Sequence, residues 1–366
     1  AYTERVSIDA SKWPSLKAIA PHGGLSPCSS TSRLWDRGWP YKPDVVAEGG
    51  NGAIDSLSPV VGPESLRLLT ASRDMTTSLL AETGDTSAAT AEVARLCAHL
   101  AARYPEYWPE TLRALVVHGA RYTDAMLHGL PAKPQMQDKI SLLRHYGHGA
   151  VSADNSLNST LRRPTLVTQG TIQPYRQAKD GVRLNEMNLH DLPWPERELL
   201  ALGETEVRLR VTLSYFVEPN PSQRGWQGKF RYQSHGLRFA IRGATETLEL
   251  FGLRIKKVER ELAEGDVESM SDPDAGGWAL GTKLQSNGSL HSDVWSGTAA
   301  ALAQKSQVAV YPVGGWWKDW KEAGRALRRV RYSLVVSLEI AESVDVDLYT
   351  PIAAQIRVPV VVPTES

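Results

Sequence analysis

Two periods of apolar and polar residues divide the chain. Between about residues 86 and 104, Val93, Leu96, Cys97 and Leu100 recur at i, i+3, i+4 and i+7, the apolar stripe of an α-helix. Glu92, Arg95, His99 and Arg103 form its polar stripe, and Pro105 ends it. A second helix is predicted from Pro109, a favoured first helical residue, with Glu110 at the positive end of the helix dipole. Leu112, Leu115, Val116 and Gly119 share one of its faces. Upstream, residues 44–47 and 66–70 are short apolar runs of strand type, the first followed by the turn Gly49-Gly50-Asn51-Gly52. Strands alternating with helices predict an α/β layer structure.

From about residue 166 the period shortens to two. Val207, Leu209, Val211, Leu213 and Tyr215 point one way; Arg208, Arg210, Thr212 and Ser214 point the other, onto a predicted wet face. Leu237, Phe239 and Ile241 repeat the pattern, as do Tyr332, Leu334, Val336, Leu338 and Ile340. Ile356, Val358, Val360 and Val362 form a last strand, which Pro359 and Pro363 place at a sheet edge. A single helix, about residues 246–262, interrupts this set, and residues 219–228 and 266–277 read as long surface loops. Antiparallel strands with one wet face predict a β-sandwich or jelly roll. The expected domains are therefore 1–165 and 166–366, which suits a chain of 366 residues.

Charge and cysteine content narrow the function. Lys+Arg and Asp+Glu both number 41, so no overall positive field exists to hold nucleic acid or an anionic membrane. No apolar run approaches the roughly 18 residues that cross a bilayer. Cys28 and Cys97 are the only thiols, which excludes a disulfide framework and a Cys-rich zinc site. The first residues carry neither an initiator Met nor a signal-peptide pattern. With so few cysteines this favours the cytoplasm, and it is the pattern expected of a piece of a longer protein.

The chemistry concentrates in Glu82-Thr-Gly-Asp-Thr-Ser87-Ala-Ala-Thr-Ala-Glu-Val-Ala94. A Ser opening a helix has its hydroxyl at the positive helix end, and its own N–H can face a developing oxyanion. Ala88, Ala89 and Ala91 leave room for substrate and for close packing. The competing role for Thr86 or Ser87 is that of an N-cap, whose side chain accepts a backbone N–H.

Context favours the chemical role. Lys42-Pro-Asp-Val-Val-Ala-Glu-Gly49 resembles the Lys-Pro-Asp-Val-x-Ala-Pro-Gly stretch of subtilisin-like serine peptidases, the subtilases. Thr86-Ser87-Ala-Ala is similar to their Thr-Ser-x-Ala nucleophile motif. Tyr104-Pro-x-x-Trp108-Pro-Glu-Thr-Leu-Arg-Ala-Leu115 resembles the next helix of the family, and Tyr146-Gly-His-Gly149 the Tyr-Gly-x-Gly turn that closes the domain. Ser29-Ser-Thr-Ser32 is similar to the Ser-rich turn before the Lys-Pro-Asp strand. The resemblance implies the carboxy-terminal portion of a subtilisin-like three-layer α/β domain over about residues 1–160. The remaining strands resemble the β-rich carboxy-terminal domain of some large bacterial subtilases.

What the resemblance implies for function is peptide-bond hydrolysis, with Ser87 as nucleophile and Thr86 and Asp85 beside the substrate. The partners implied are a peptide or protein substrate, the missing amino-terminal part of the catalytic domain and an ATPase; no cofactor is implied. Subtilases place the triad Asp, the His and the oxyanion Asn ahead of the nucleophile. Only His22 precedes Ser87 here, in Pro21-His-Gly-Gly24, which lacks the His-Gly-Thr context, and neither Asp9 nor Asp36 has the context of the triad Asp. The triad partners are expected upstream of this chain, without which a Ser hydroxyl lacks its base and these residues alone should be inactive. Asp85 stands where most subtilases have Gly, Ala91 and Glu48 where they have Pro. These departures mark a divergent subgroup and sustain an alternative: a non-catalytic pseudo-peptidase or β-sandwich scaffold.

Other candidates read as structural. His145-x-x-His148 has metal-ligand spacing, but no acidic or Cys partner is nearby. Trp316, Trp317 and Trp320, with Lys318 and Lys321, could stack sugars or a peptide; packing on the sandwich is the expected role. Arg325, Arg328, Arg329 and Arg331 cluster, with Arg329 and Arg331 on a wet strand face. Gly49-Gly-Asn-Gly52 is followed by no Lys-Ser/Thr and is a turn, not a phosphate loop.

Overall fold

The computed structural model describes every residue except 36–38, 57, 61, 161–162, 180, 222–231, 244–245, 265–276, 287, 321–323, 342–343, 345, 349, 351, 353–359 and 364–366. Asp36, Lys321, Ile356, Val358, Pro359 and most of the two long loops lie outside the described residues. The chain divides into two compact units: Ala1–Arg37, Tyr41–Glu106 and Leu115–Leu157 make the first, and Gly38–Pro40, Tyr107–Ala114 and Asn158–Ser366 the second.

The first unit holds short strands β1 (Tyr2–Thr3), β2 (Leu16–Ala18), β3 (Gly24–Leu25), β4 (Ala53–Asp55), β5 (Ser58–Val60), β6 (Leu68–Ala71) and β7 (Leu80–Thr83). Helices α1 (Asp85–Arg103), α2 (Pro109–Gly119), α3 (Asp124–Leu127), α4 (Met136–Tyr146) and α5 (Ala153–Leu157) follow, and the division between the units falls within α2. The 66–70 run becomes a 3-10 turn over Glu64–Leu66 and then β6, which pairs antiparallel with β7. α1 buries Leu96 and Leu100, with Tyr104 as its C-cap before Pro105. Ala88 and Ala89 are buried as the packing argument requires, but Ala91 is exposed.

Residues 44–47 do not form a continuous strand. They make single parallel bridges instead: Tyr2 with Glu48 on one side, and Val46 with Ala150 on the other. Tyr2 N–H donates to Ala47 O (3.0 Å), Val46 N–H to Gly149 O (2.9 Å) and Val151 N–H to Val46 O (2.9 Å). Parallel neighbours buried on both faces suit the apolar pair Val46 and Ala47, which are 1% and 2% exposed.

The second unit contains β8 (Thr165–Ile172), β9 (Tyr175–Ala178), β10 (Gly181–Leu184), β11 (Glu186–Asp191), α6 (Glu196–Leu202), β12 (Glu206–Tyr215), β13 (Gly236–Ile241), α7 (Leu248–Glu264), β14 (Leu290–Thr298), α8 (Ala299–Ala303), β15 (Gln307–Val313), α9 (Trp316–Asp319), β16 (Val330–Ile340) and β17 (Val360–Pro363). One antiparallel sheet runs β14-β12-β16-β8 and the other β13-β15-β11-β17, with β9 and β10 as a separate hairpin. Apart from that hairpin, each successive strand lies in the opposite sheet, so every pairing is non-local. The inward residues predicted from the period-two pattern, Val207 to Tyr215 and Tyr332 to Leu338, are at most 2% exposed and share one core with Leu237, Phe239 and Val310 of the second sheet. β17 takes the predicted edge position beside β11.

Two expectations are corrected. Among the described residues the region has four α-helices rather than one, because α6, α8 and α9 are too short to show a period. The face of β12 expected to be wet is not: Arg208 is exposed, but Thr212 and Ser214 are wholly buried, as are Ser333 and Ser337 across the sheet. The start of α2 lies along this face. Thr111 Oγ1 donates to Gln169 Oε1 (2.7 Å), which the register sets beside Ser333, and Arg331 Nε reaches Glu110 Oε1 (3.2 Å). Small hydroxyl residues let backbone approach the sheet closely; larger side chains there would hold it off. On the outer face of the other sheet, Phe251 and Ile255 of α7 pack against Met187, Leu189 and Tyr311.

Candidate functional site

Ser87 is the third residue of α1, whose N-cap is Gly84. Gly84 has no side chain, so neither Thr86 nor Ser87 caps the helix, and the capping role weighed for them is overturned. Both sit inside the first turn, where N–H groups have no partner further back along the helix. Ala88 N–H is the first to bond backward, to Gly84 O at 3.2 Å. Among the described residues nothing pairs with the Ser87 N–H or hydroxyl, and the residue is exposed. A hydroxyl and a free N–H thus stand together at the positive end of a 19-residue helix.

Asp85 shapes the mouth of that helix. Its φ is 66°, the left-handed region that costs an L-residue energy and that Asp tolerates better than most. Its N–H donates to Gly49 O (2.6 Å), tying the turn to the Lys-Pro-Asp segment. Arg67 Nη1 lies 3.6 Å from Asp85 Oδ1, and a Cβ built on Gly84 would meet the Arg67 guanidinium at 2.8 Å. The guanidinium therefore fills the space where a side chain at position 84 would be. Cys28 is exposed, yet local desolvation first and hydrogen bonding to the Asp85 carboxylate second raise its thiol pKa. Thr86 Oγ1 accepts a long hydrogen bond from Ser30 N–H (3.4 Å).

Three of the sequence motifs meet in one scaffold. Gly147 has a φ of 58° and faces Pro43 and Asp44: a Cβ there would come within 2.3 Å of both carbonyl oxygens. His148 N–H donates to Asp44 O (2.9 Å), and Tyr122 OH to Gly147 O (2.6 Å). Ser32 N–H donates to Arg144 O (3.1 Å), and the Ser32 hydroxyl donates to Lys42 O. The Ser-rich turn, the Lys-Pro-Asp segment and the Tyr-Gly-x-Gly turn are thus bonded to one another. Glu48, where a Pro was expected, accepts from Gly50 N–H (2.7 Å) through one oxygen and Glu4 N–H (2.7 Å) through the other. A Pro could not hold that turn.

The remaining candidates each have contacts of their own. His22 is exposed, with Nδ1 3.0 Å from Glu4 O, and Asp9 accepts from its neighbour Ser11. His145 Nδ1 bonds back to Ser141 O (2.6 Å), and no metal-holding group of acidic, His or Cys residues exists among the described residues. Trp316 and Trp317 are buried, and their indole N–H groups donate to Glu218, O and Oε2 respectively. Arg325 and Arg328 also pair with Glu218, and Arg329 with Glu186. No described helix is long and apolar enough to cross a membrane.

Sequence reasoning missed Arg67, Cys28 and Gly84 as parts of the helix mouth. Nothing in the pattern around Arg67 marked it. Gly84 was legible only as half of a Gly-Asp turn signal, which does not say which of the two residues is left-handed.

The model of the subtilase peptidase family matches residues 1–149. No match to the chain was found among curated proteins. The matched span contains the helix mouth and all three bonded motifs, and over these residues the chain is similar to the subtilase family.

Proposed function

We propose that this chain is the nucleophile-bearing part of a serine endopeptidase. Ser87 Oγ attacks the scissile carbonyl carbon while its proton passes to a His; the oxygen–carbon bond forms and the carbonyl oxygen takes the negative charge, facing the Ser87 N–H. The same His then protonates the departing amine as the carbon–nitrogen bond breaks, and water releases the acyl group. On this reading the His, the Asp that orients it and the oxyanion Asn come from polypeptide outside these residues, since His22, the one His ahead of Ser87, stands in Pro21-His-Gly-Gly24 and lacks the His-Gly-Thr context of the family's base. Thr86 and Asp85 line the approach of the peptide. The observation that carries the reading is the exposed Ser87 with its unpaired N–H at the start of α1. The alternation of strands between two sheets supports reading the second unit as a jelly-roll accessory domain for stability or substrate presentation.

The test is fluorophosphonate labelling of the protein with its complete catalytic domain, followed by peptide mapping. Label on the Ser87 peptide, lost in Ser87→Ala, is expected; label elsewhere, or none on intact protein, overturns the assignment. A second reading, a non-catalytic scaffold, is favoured by Asp85, whose carboxylate sits beside the turn where an oxyanion would develop. Unlabelled protein that still binds a substrate peptide supports it.

A further inference from the structure

A cavity of about 600 Å³ opens in the first unit between the segment after the Ser-rich turn and helix α4. Its size is in the range of small-molecule sites. Trp35, Tyr41, Met136 and Ile140 supply apolar wall; Gln137 and Ser141 supply polar atoms; Arg33 and Arg144 supply charge. Among the described residues no carboxylate lines it.

The two arginines differ. Arg144 is buried and committed to the fold: it bonds Ser32 O and lies over the Tyr41 ring at 5.6 Å. Arg33 is exposed and, among the described residues, makes no ion pair or hydrogen bond. Beside it Trp35 is 46% exposed and Met136 39%, apolar surface left open within a concave site. An exposed guanidinium beside a partly exposed indole suits a ligand with a flat apolar body and an anionic end, since each half meets a group of matching chemistry.

We propose that this cavity binds an aromatic carboxylate, its ring against Trp35 and Met136 and its carboxylate on Arg33. Two sources share that chemistry: a free aromatic acid, and the last residue of a peptide ending in Trp or Phe. Nothing in the proposal depends on Ser87, so it stands or falls apart from the peptidase reading.

Isothermal titration of the full chain tests it with four probes: indole-3-propionate, its neutral amide, an acetylated dipeptide ending in Trp, and that dipeptide's amide. Saturable binding of at least one acid is expected, with its amide roughly tenfold or more weaker, the loss of one charge-assisted pair. Arg33→Ala should weaken the acid by the same factor and leave the amide unchanged, and Trp35→Ala should weaken both. Arg33 is exposed, so its variant keeps the fold, which circular dichroism checks. The dipeptide acid binding more tightly than the free acid assigns chain ends; the reverse assigns a free metabolite-sized acid. No saturable binding of either acid, equal binding of acid and amide, or an unaffected Arg33→Ala variant overturns the proposal.

Discussion

Replacing Asp85 separates backbone strain from side-chain contact. A left-handed L-residue costs about 1–2 kcal/mol, with Asp at the lower end. Glycine has no such cost but gives the unfolded chain more freedom, worth about 0.5–1 kcal/mol against the fold. The Arg67 pair spans 3.6 Å with the Asp85 side chain 54% exposed, so its loss costs between about 0 and 1 kcal/mol. Asp85→Gly should therefore lie within about 1 kcal/mol of the parent. Asp85→Ala loses the pair, keeps the strain and lacks the local hydrogen bonding that helps Asp, so it should be destabilised by about 1 kcal/mol or more. The ordering is the informative quantity: Gly above Ala by about 1 kcal/mol. Inside a helix the ordering is the opposite, Ala above Gly by about the same amount. Urea unfolding of both variants, compared at equal slope, measures it. An Ala variant as stable as the Gly variant, or more so, would show that residue 85 is not left-handed and would remove the account of the helix mouth.

Other consequences follow from the same contacts. Asn51 is 2% exposed; its Oδ1 accepts from Ala20 and Gly52 N–H, and its Nδ2 donates to Ala20 and Arg5 O, so Asn51→Ala should cost about 2–4 kcal/mol in denaturant titration. Gly147→Ala combines a φ of 58° with a clash at 2.3 Å and should cost about 3 kcal/mol or more, read as a lowered unfolding midpoint. Burial lowers the pKa of His190 to about 4, so between that value and about 6.5 the unfolded chain holds a proton that the folded chain does not. Its contribution is complete above pH 6.5 and is lost on acidification, about 2 kcal/mol between pH 7 and 5; His190→Asn should flatten the stability profile over that window, and an unchanged slope would refute the assignment.

The helices were legible because their period reports burial directly. α1 and α2 start and stop where Pro105, Pro109 and the apolar stripes place them, and α7 falls within two residues of its predicted ends. The inward residues of β12 and β16 were legible for the same reason. The wet face was misread because alternation tells which residues share a side, not what covers it. Ser214 and Ser333 are polar in sequence and buried in the fold; their hydroxyls pair with nothing among the described residues.

At the candidate site, the sequence by itself identified the Thr86-Ser87 turn and the order of the motifs, since these are local and depend on residue type. Only the tertiary structure decided that Asp85 is left-handed, that Glu48 holds the neighbouring turn and that Arg67 stands over Gly84. Only it decided that the strands alternate between two sheets. The physical reason is separation along the chain. A period or a capping signal acts over a few residues, whereas Gly49 reaching Asp85 and Asp44 reaching His148 are contacts between distant segments, fixed when the segments pack.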